Sequence, residues 1–185
     1  IADRICKALK EPFLLEGQEI FSHASIGIVY ANTSYRSTSD LLRDADIAMY
    51  HAKNNGRSRY EIFHSGMLEN TLNRLQREGE IRRALRDHEF ILHYQPVFTL
   101  ENMQVSGFEA LIRWQHPTRG LLAPDEFMDV AEQSGLIIPI GEWVLQTACA
   151  QVYAWNKVWE RPLKMAINLS ALQLNDKNLI GNVQS

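Results

Sequence analysis

Glu109, Arg113 and Asn168 could do chemistry together: a carboxylate, a guanidinium and an amide, set on two stretches that read as strands. Gln104–Trp114 alternates with period two. Val105, Gly107, Glu109, Leu111 and Arg113 therefore share one face, and Phe108, Ala110, Ile112 and Trp114 the other. Burying an unpaired charge is costly, so both charged side chains need partners. At ~3.3 Å per residue, positions four apart lie roughly 13 Å from each other. Glu109 and Arg113 cannot simply pair, and each must meet a metal, a ligand or another side chain.

Lys164–Leu169 reads as a second strand, on which Ala166, Asn168 and Ser170 alternate against Met165, Ile167 and Leu169. Asn168 falls near its C-terminal end, where sites assemble in α/β sheets and barrels. Gln95 sits on an earlier strand and shares a face with His93 and Val97. A Glu carboxylate with an Asn oxygen suits a hard cation such as Mg²⁺ or Mn²⁺ rather than zinc. An arginine nearby suits phosphate. The same residues also fit a plainer role, with Glu109 and Arg113 in structural ion pairs and Asn168 capping the next helix. Lys53 and Arg57 could hold phosphate, or simply offset a helix dipole. The six histidines are scattered without metal-ligand spacing, and Asp44 and Asp46 read as the solvated face of their helix.

These residues need elements to position them. Ile1–Leu9 reads as a helix stopped by Pro12, and Phe13–Leu15 and Glu19–Tyr30 as strands around a turn at Glu16-Gly17-Gln18. Asn32–Ser39 reads as a polar loop, with Ser39 as N-cap of a helix over Leu41–Lys53 that stops at Asn55-Gly56. Arg59–Phe63 is a short strand. The charge-rich stretch from Gly66 to Asp87 reads as a helix connecting two domains, with Glu78 and Arg82 spaced for an i,i+4 pair. Phe90–Phe98 pairs with Gln104–Trp114 around Glu101-Asn102, and a loop holds Pro117 and Gly120. Helices follow from Pro124 to Ser134 and from Pro139 to Trp155, and another starts near Ser170. Strands alternating with helices predict a parallel sheet in this half.

Composition narrows the function classes. The 185 residues are 45% apolar and 22% charged, which excludes a disordered tail, a collagen-like fibre and a coiled-coil rod. A net charge of -3 argues against a partner bound through bulk charge to a nucleic acid polymer. Cys6 and Cys149 lie far apart, so a disulfide framework is not expected and a reducing, cytoplasmic compartment is. No apolar stretch approaches the ~20 residues of a membrane span.

The stretch Glu109-Ala110-Leu111-Ile112-Arg113-Trp114 resembles the signature of EAL-domain proteins, bacterial phosphodiesterases that open cyclic di-GMP. Tyr94-Gln95-Pro96-Val97 precedes it. His116-Pro117, Gly120, Pro124-Asp125-Glu126-Phe127, Ala131-Glu132, Gly135-Leu136-Ile137 and Ile167-Asn168-Leu169-Ser170 follow in the family's order. The first part resembles the C-terminal portion of a GGDEF diguanylate cyclase domain. It carries Ser25-Ile26-Gly27-Ile28, Ala45-Asp46-Ile47-Ala48-Met49-Tyr50, Ala52-Lys53 and Gly56-Arg57-Ser58-Arg59.

The resemblance implies an α/β chain in three parts. Residues 1–63 would be the C-terminal part of a GGDEF domain, 64–88 a connecting helix, and 89–185 the N-terminal part of an EAL domain, an incomplete (β/α) TIM-like barrel. It implies signal transduction in which the whole protein is a hydrolase of cyclic di-GMP, making linear pGpG with Mg²⁺ or Mn²⁺. Glu109 and Asn168 would be catalytic metal ligands. Gln95, Glu109, Leu111 and Arg113 would contact substrate. Lys53 and Arg57 would lie near nucleotide phosphates, with GTP as ligand if the GGDEF part is active. The GGDEF signature is expected before Ile1, and further EAL ligands after Ser185, so the 185 residues alone are expected to be inactive. Two alternatives stay open: a degenerate cyclic di-GMP receptor, and a parent acting mainly as a diguanylate cyclase. The reading also leaves open a homodimer of the whole protein and a membrane tether through an upstream module.

Overall fold

The computed structural model describes residues 1–32 and 35–184. The expected loop residues Thr33 and Ser34 lie outside the described residues. The chain divides into two compact units, residues 1–74 and 75–185. One helix, α3 (Ser65–Arg86), begins in the first and ends in the second. Among the described residues, no helix is long and apolar enough to cross a membrane.

In the first unit, α1 (Ala2–Ala8) precedes a hairpin of β1 (Phe13–Leu15) and β2 (Gln18–Ile20). Glu16 and Gly17 turn it, both at positive φ, as tight hairpins require. Strands β3 (Ile26–Ile28) and β4 (Tyr60–Ile62) pair in parallel, and α2 (Thr38–Asn54) connects them. The strand expected over Glu19–Tyr30 is thus two: β2 pairs with β1 and β3 with β4, in separate sheets.

Two further expectations change in α2. The N-cap is Ser37, not Ser39. Ser37 is extended and its Oγ accepts from Asp40 N at 3.1 Å, so the helix begins at Thr38. Asp44 is not on a solvated face. It is buried, 4% exposed, and its carboxylate accepts from Tyr35 Oη and Arg43 Nε, each at 2.9 Å. Loss of hydration, and then this bond to an anion, raise the Tyr35 phenol above its ordinary pKa.

In the second unit, β5 (Phe90–Phe98) and β6 (Val105–His116) form an antiparallel hairpin. Two short strands also pair with β6: β7 (Gly120–Leu122), antiparallel, and β8 (Lys164–Ile167), parallel. The expected parallel sheet therefore holds only for β6 and β8. A tight hairpin forces its arms antiparallel, whereas α5 (Ile137–Asn156) gives the long crossover that a parallel pair needs. The segment Gly120–Leu122, read as loop, forms β7 because Trp114 to His116 still offer ladder groups.

Between β7 and α5 lie a 3₁₀ turn (Pro124–Glu126) and the short helix α4 (Met128–Gln133). After β8 come α6 (Ala171–Leu174) and α7 (Leu179–Gln184). The core sits on one face of the sheet. Trp114, Phe127, Ile81, Ile137 and Ile140 are its largest fully buried side chains. Phe90 meets Trp114 and Phe127 at ring distances of 5.6 and 5.5 Å. Trp114 Nε1 donates to Glu89 Oε2 at 2.8 Å, so burying the indole leaves no orphan donor. With Trp114, Ile112 and Ala110 turned to the core side, alternation sends Glu109, Leu111 and Arg113 to the other face.

Candidate functional site

β6 carries the candidate site, and β5 and β8 complete it. On β5, Gln95 lies directly opposite Glu109, His93 opposite Leu111 and Ile91 opposite Arg113. Directly opposed residues of an antiparallel pair project to the same face. On β8, Ala166 lies beside Glu109. Asn168, two residues on, follows the same alternation just past the last ladder pair, Ala110 with Ile167.

Gly107 makes this approach possible. A Cβ there would sit 2.4 Å from the Lys164 carbonyl oxygen, so only glycine lets β8 lie this close to β6. The result joins two residues distant in sequence: Asn168 Nδ2 donates to Glu109 Oε1 at 2.7 Å. Asn168 does not cap the next helix. Ser170 does, its Oγ accepting from Gln173 N at 3.3 Å, which frees the Asn168 side chain for Glu109.

Arg113 stands farther along the strand, its Nη1 donating to the Ile112 carbonyl at 2.7 Å. Its structural partner is thus main chain rather than an acidic side chain. Gln95 is exposed, and Leu111 and Arg113 are half-buried. A narrow slot of about 130 Å³ opens beside Asn168, walled by Leu111, Ile137, Ile140, Val144 and Gln173 among others. Sequence reasoning passed over Gln173. The available signal was the Ser170-to-Gln173 spacing of a capping box.

The donor set fits a hard divalent ion. Glu109 offers a carboxylate, and Asn168, whose Nδ2 now faces it, would add Oδ1 on a half-turn of its amide, with neither sulfur nor imidazole in the set. Mg²⁺ is commonly held by one or two protein oxygens, with waters and substrate phosphates filling its octahedron. Among the described residues, no group of three or more His, Cys, Asp or Glu could hold a metal ion.

In the first unit, the two expected phosphate residues separate. Arg57, at φ 57°, lines a cleft of about 540 Å³ with Lys7, Lys10 and Arg59. Lys53 is not among the residues that line it. The left-handed run Gly56-Arg57-Ser58 after α2 turns Arg57 into this cleft.

Residues 78–185 match the model of the EAL domain, and residues 1–59 that of the diguanylate cyclase, GGDEF domain. The chain belongs to the EAL-domain family. A GGDEF-type segment thus precedes the EAL segment, as the resemblance implied. The bifunctional diguanylate cyclase/cyclic di-GMP phosphodiesterase MucR of Pseudomonas aeruginosa is 39% identical over 185 residues, 100% of this chain and 27% of that protein. The cyclic di-GMP phosphodiesterase PdeR of Escherichia coli is 36% identical over 179 residues, 97% of this chain and 27% of its own. The chain spans about a quarter of the length of these curated relatives. Among solved structures, the PaMucR phosphodiesterase in complex with c-di-GMP aligns with a TM-score of 0.57 at 42% identity. That match covers 59% of this chain and 44% of that one. An EAL enzyme with cAMP and cyclic di-GMP bound aligns with a TM-score of 0.58 at 28% identity, covering 82% and 40%. The α/β fold, with a partial EAL domain, is therefore that of these neighbours.

Proposed function

We propose that the protein hydrolyses cyclic di-GMP to linear pGpG at the Glu109–Asn168 pair, with Mg²⁺ or Mn²⁺. The observation that carries this reading is the 2.7 Å approach of Asn168 Nδ2 to Glu109 Oε1 from separate strands. It is supported by relatives and solved neighbours whose names give this phosphodiesterase activity or this ligand. A bound cation would supply positive charge to the phosphate and acidify water.

The chain's own residues do the rest. The Glu109 carboxylate and the Asn168 amide oxygen would hold the ion where β8 ends beside β6. Arg113 pairs with a phosphate oxygen while Nη1 keeps its bond to Ile112, so the guanidinium arrives oriented. Gln95, opposite Glu109, hydrogen-bonds the dinucleotide, and Leu111 packs against it. Water adds to phosphorus as the bond to the ribose 3′ oxygen breaks, and that oxygen leaves as a hydroxyl after taking a proton. In the first unit, Arg57 would meet nucleotide phosphate with the other cations of its cleft, and GTP is the ligand if that part is active.

The test incubates the whole protein with cyclic di-GMP and Mn²⁺ or Mg²⁺ and follows products by liquid chromatography. Linear pGpG is expected, and its loss on chelation. Binding without turnover would favour the receptor alternative. No binding by calorimetry would remove both.

A further inference from the structure

We propose that Gln173 is a positioning residue for Asn168, locked in place by a side-chain-sized notch at Gly141. This rests on the reading of Glu109 and Asn168 as an ion-holding pair. The last ladder pair of β8 is at Ile167, so the sheet does not fix Asn168 and Leu169 directly. What fixes them from the far side is Ser170, and Gln173 grips Ser170 twice. Gln173 Oε1 accepts from Ser170 N at 2.9 Å, and Gln173 N donates to Ser170 Oγ at 3.3 Å.

α6 is only four residues long, too short to hold itself, so this grip needs an anchor outside it. Gly141 of α5 provides one. A Cβ at Gly141 would lie 1.6 Å from Gln173 Nε2 and 2.6 Å from its Cδ. The Gln173 amide therefore fills the space where residue 141 would carry a side chain. Gln173 is 5% exposed, one of few buried polar residues, and lines the same slot as Asn168. The chain of constraint runs from α5 through Gly141, Gln173 and Ser170 to Asn168, and it meets β8 from the opposite direction. Groups that orient a metal ligand from behind are worth about 10–100-fold in metal affinity or activity.

Three variants of the whole protein test this: Gln173→Leu, which keeps the size but removes the acceptor; Gly141→Ala, which leaves every polar group intact but fills the notch; and Gln173→Glu, which preserves the capping acceptor. Mn²⁺ binding is read by electron paramagnetic resonance, and kcat and KM by pGpG formation. Gln173→Leu and Gly141→Ala are expected to weaken Mn²⁺ binding about 10-fold or more and to lower kcat, with KM for the dinucleotide within about 2-fold. Gln173→Glu should recover most of the Mn²⁺ affinity.

Folded Gln173→Leu and Gly141→Ala proteins with wild-type Mn²⁺ binding would overturn the proposal. So would loss of folding in both, which would make Gln173 a helix cap and nothing more. A wild-type protein that binds Mn²⁺ but releases no pGpG would remove the phosphodiesterase reading while leaving the Mn²⁺ comparison to judge Gln173.

Discussion

Asn168 and Glu109 stand 59 residues apart in the chain and 2.7 Å apart in space. The contact is an amide N–H donated to a carboxylate oxygen. A half-turn of the amide presents Oδ1 instead, and the two oxygens can then share one cation. With one ion held by both, as proposed, removing either donor should be severe and removing both hardly worse. Glu109→Gln and Asn168→Ala are each expected to lower pGpG formation by at least about 100-fold. The double variant should lie within a few-fold of the weaker single one, as expected of residues acting as a unit. Steady-state rates across the cycle check this, and additive losses would separate the two roles.

Gly107 decides whether that pair can form at all. Its missing Cβ would sit 2.4 Å from a main-chain oxygen of β8, which cannot swing aside as a side-chain tip could. Gly107→Ala should therefore push β8 from β6 and cost about 1–3 kcal/mol, the usual cost of overpacking. Urea unfolding gives the stability. In the surviving folded protein, Asn168 moves away from Glu109, so Mn²⁺ binding should weaken too.

The sequence shows this site in part, and the physical reason is local. Alternation along β6 is enough to place Glu109, Leu111 and Arg113 on one face, because a strand's period is fixed by its own backbone. The Glu78–Arg82 pair, 2.8 Å in the structure, is likewise set by helix geometry alone. What alternation cannot supply is register between strands. That Gln95 faces Glu109, and that β8 stops where Asn168 can reach back, depend on tertiary pairing across tens of residues. The Gln173–Gly141 contact joins two helices and leaves no periodic trace. Ser39 suits a cap by residue type, yet Ser37 takes the role because its backbone is extended and its Oγ reaches Asp40 N.

Asp44 illustrates the same limit and yields a prediction for the first unit. Arg43 before it and Asp46 two residues on are charged, but the fold buries it beneath Tyr35 and Arg43. Asp44→Ala leaves the Tyr35 hydroxyl and a guanidinium edge without their acceptor. A loss of about 1–3 kcal/mol is expected, typical of stranding a buried partner. Tyr35→Phe should cost less, since the carboxylate keeps Arg43. The double variant should be less harmful than the sum, and a coupling below about 0.5 kcal/mol by denaturant titration would show that the contact contributes nothing.

Tyr94 gives the chain an alkaline limit of its own. It packs edge-on against Trp155, with ring centroids 4.9 Å apart, and burial raises its phenol above the ordinary value of 10.0. The folded state thus holds the Tyr94 proton more tightly than the unfolded chain does. That contribution is complete below pH about 10, where both states are protonated. It fades as pH climbs through the unfolded and then the folded pKa. Tyr94→Phe cannot ionise, so its stability should fall less between pH 9 and pH 11 than the wild type's. Denaturant midpoints at the two pH values measure the difference. Equal falls in both proteins would mean that the phenol ionises as readily against Trp155 as in water.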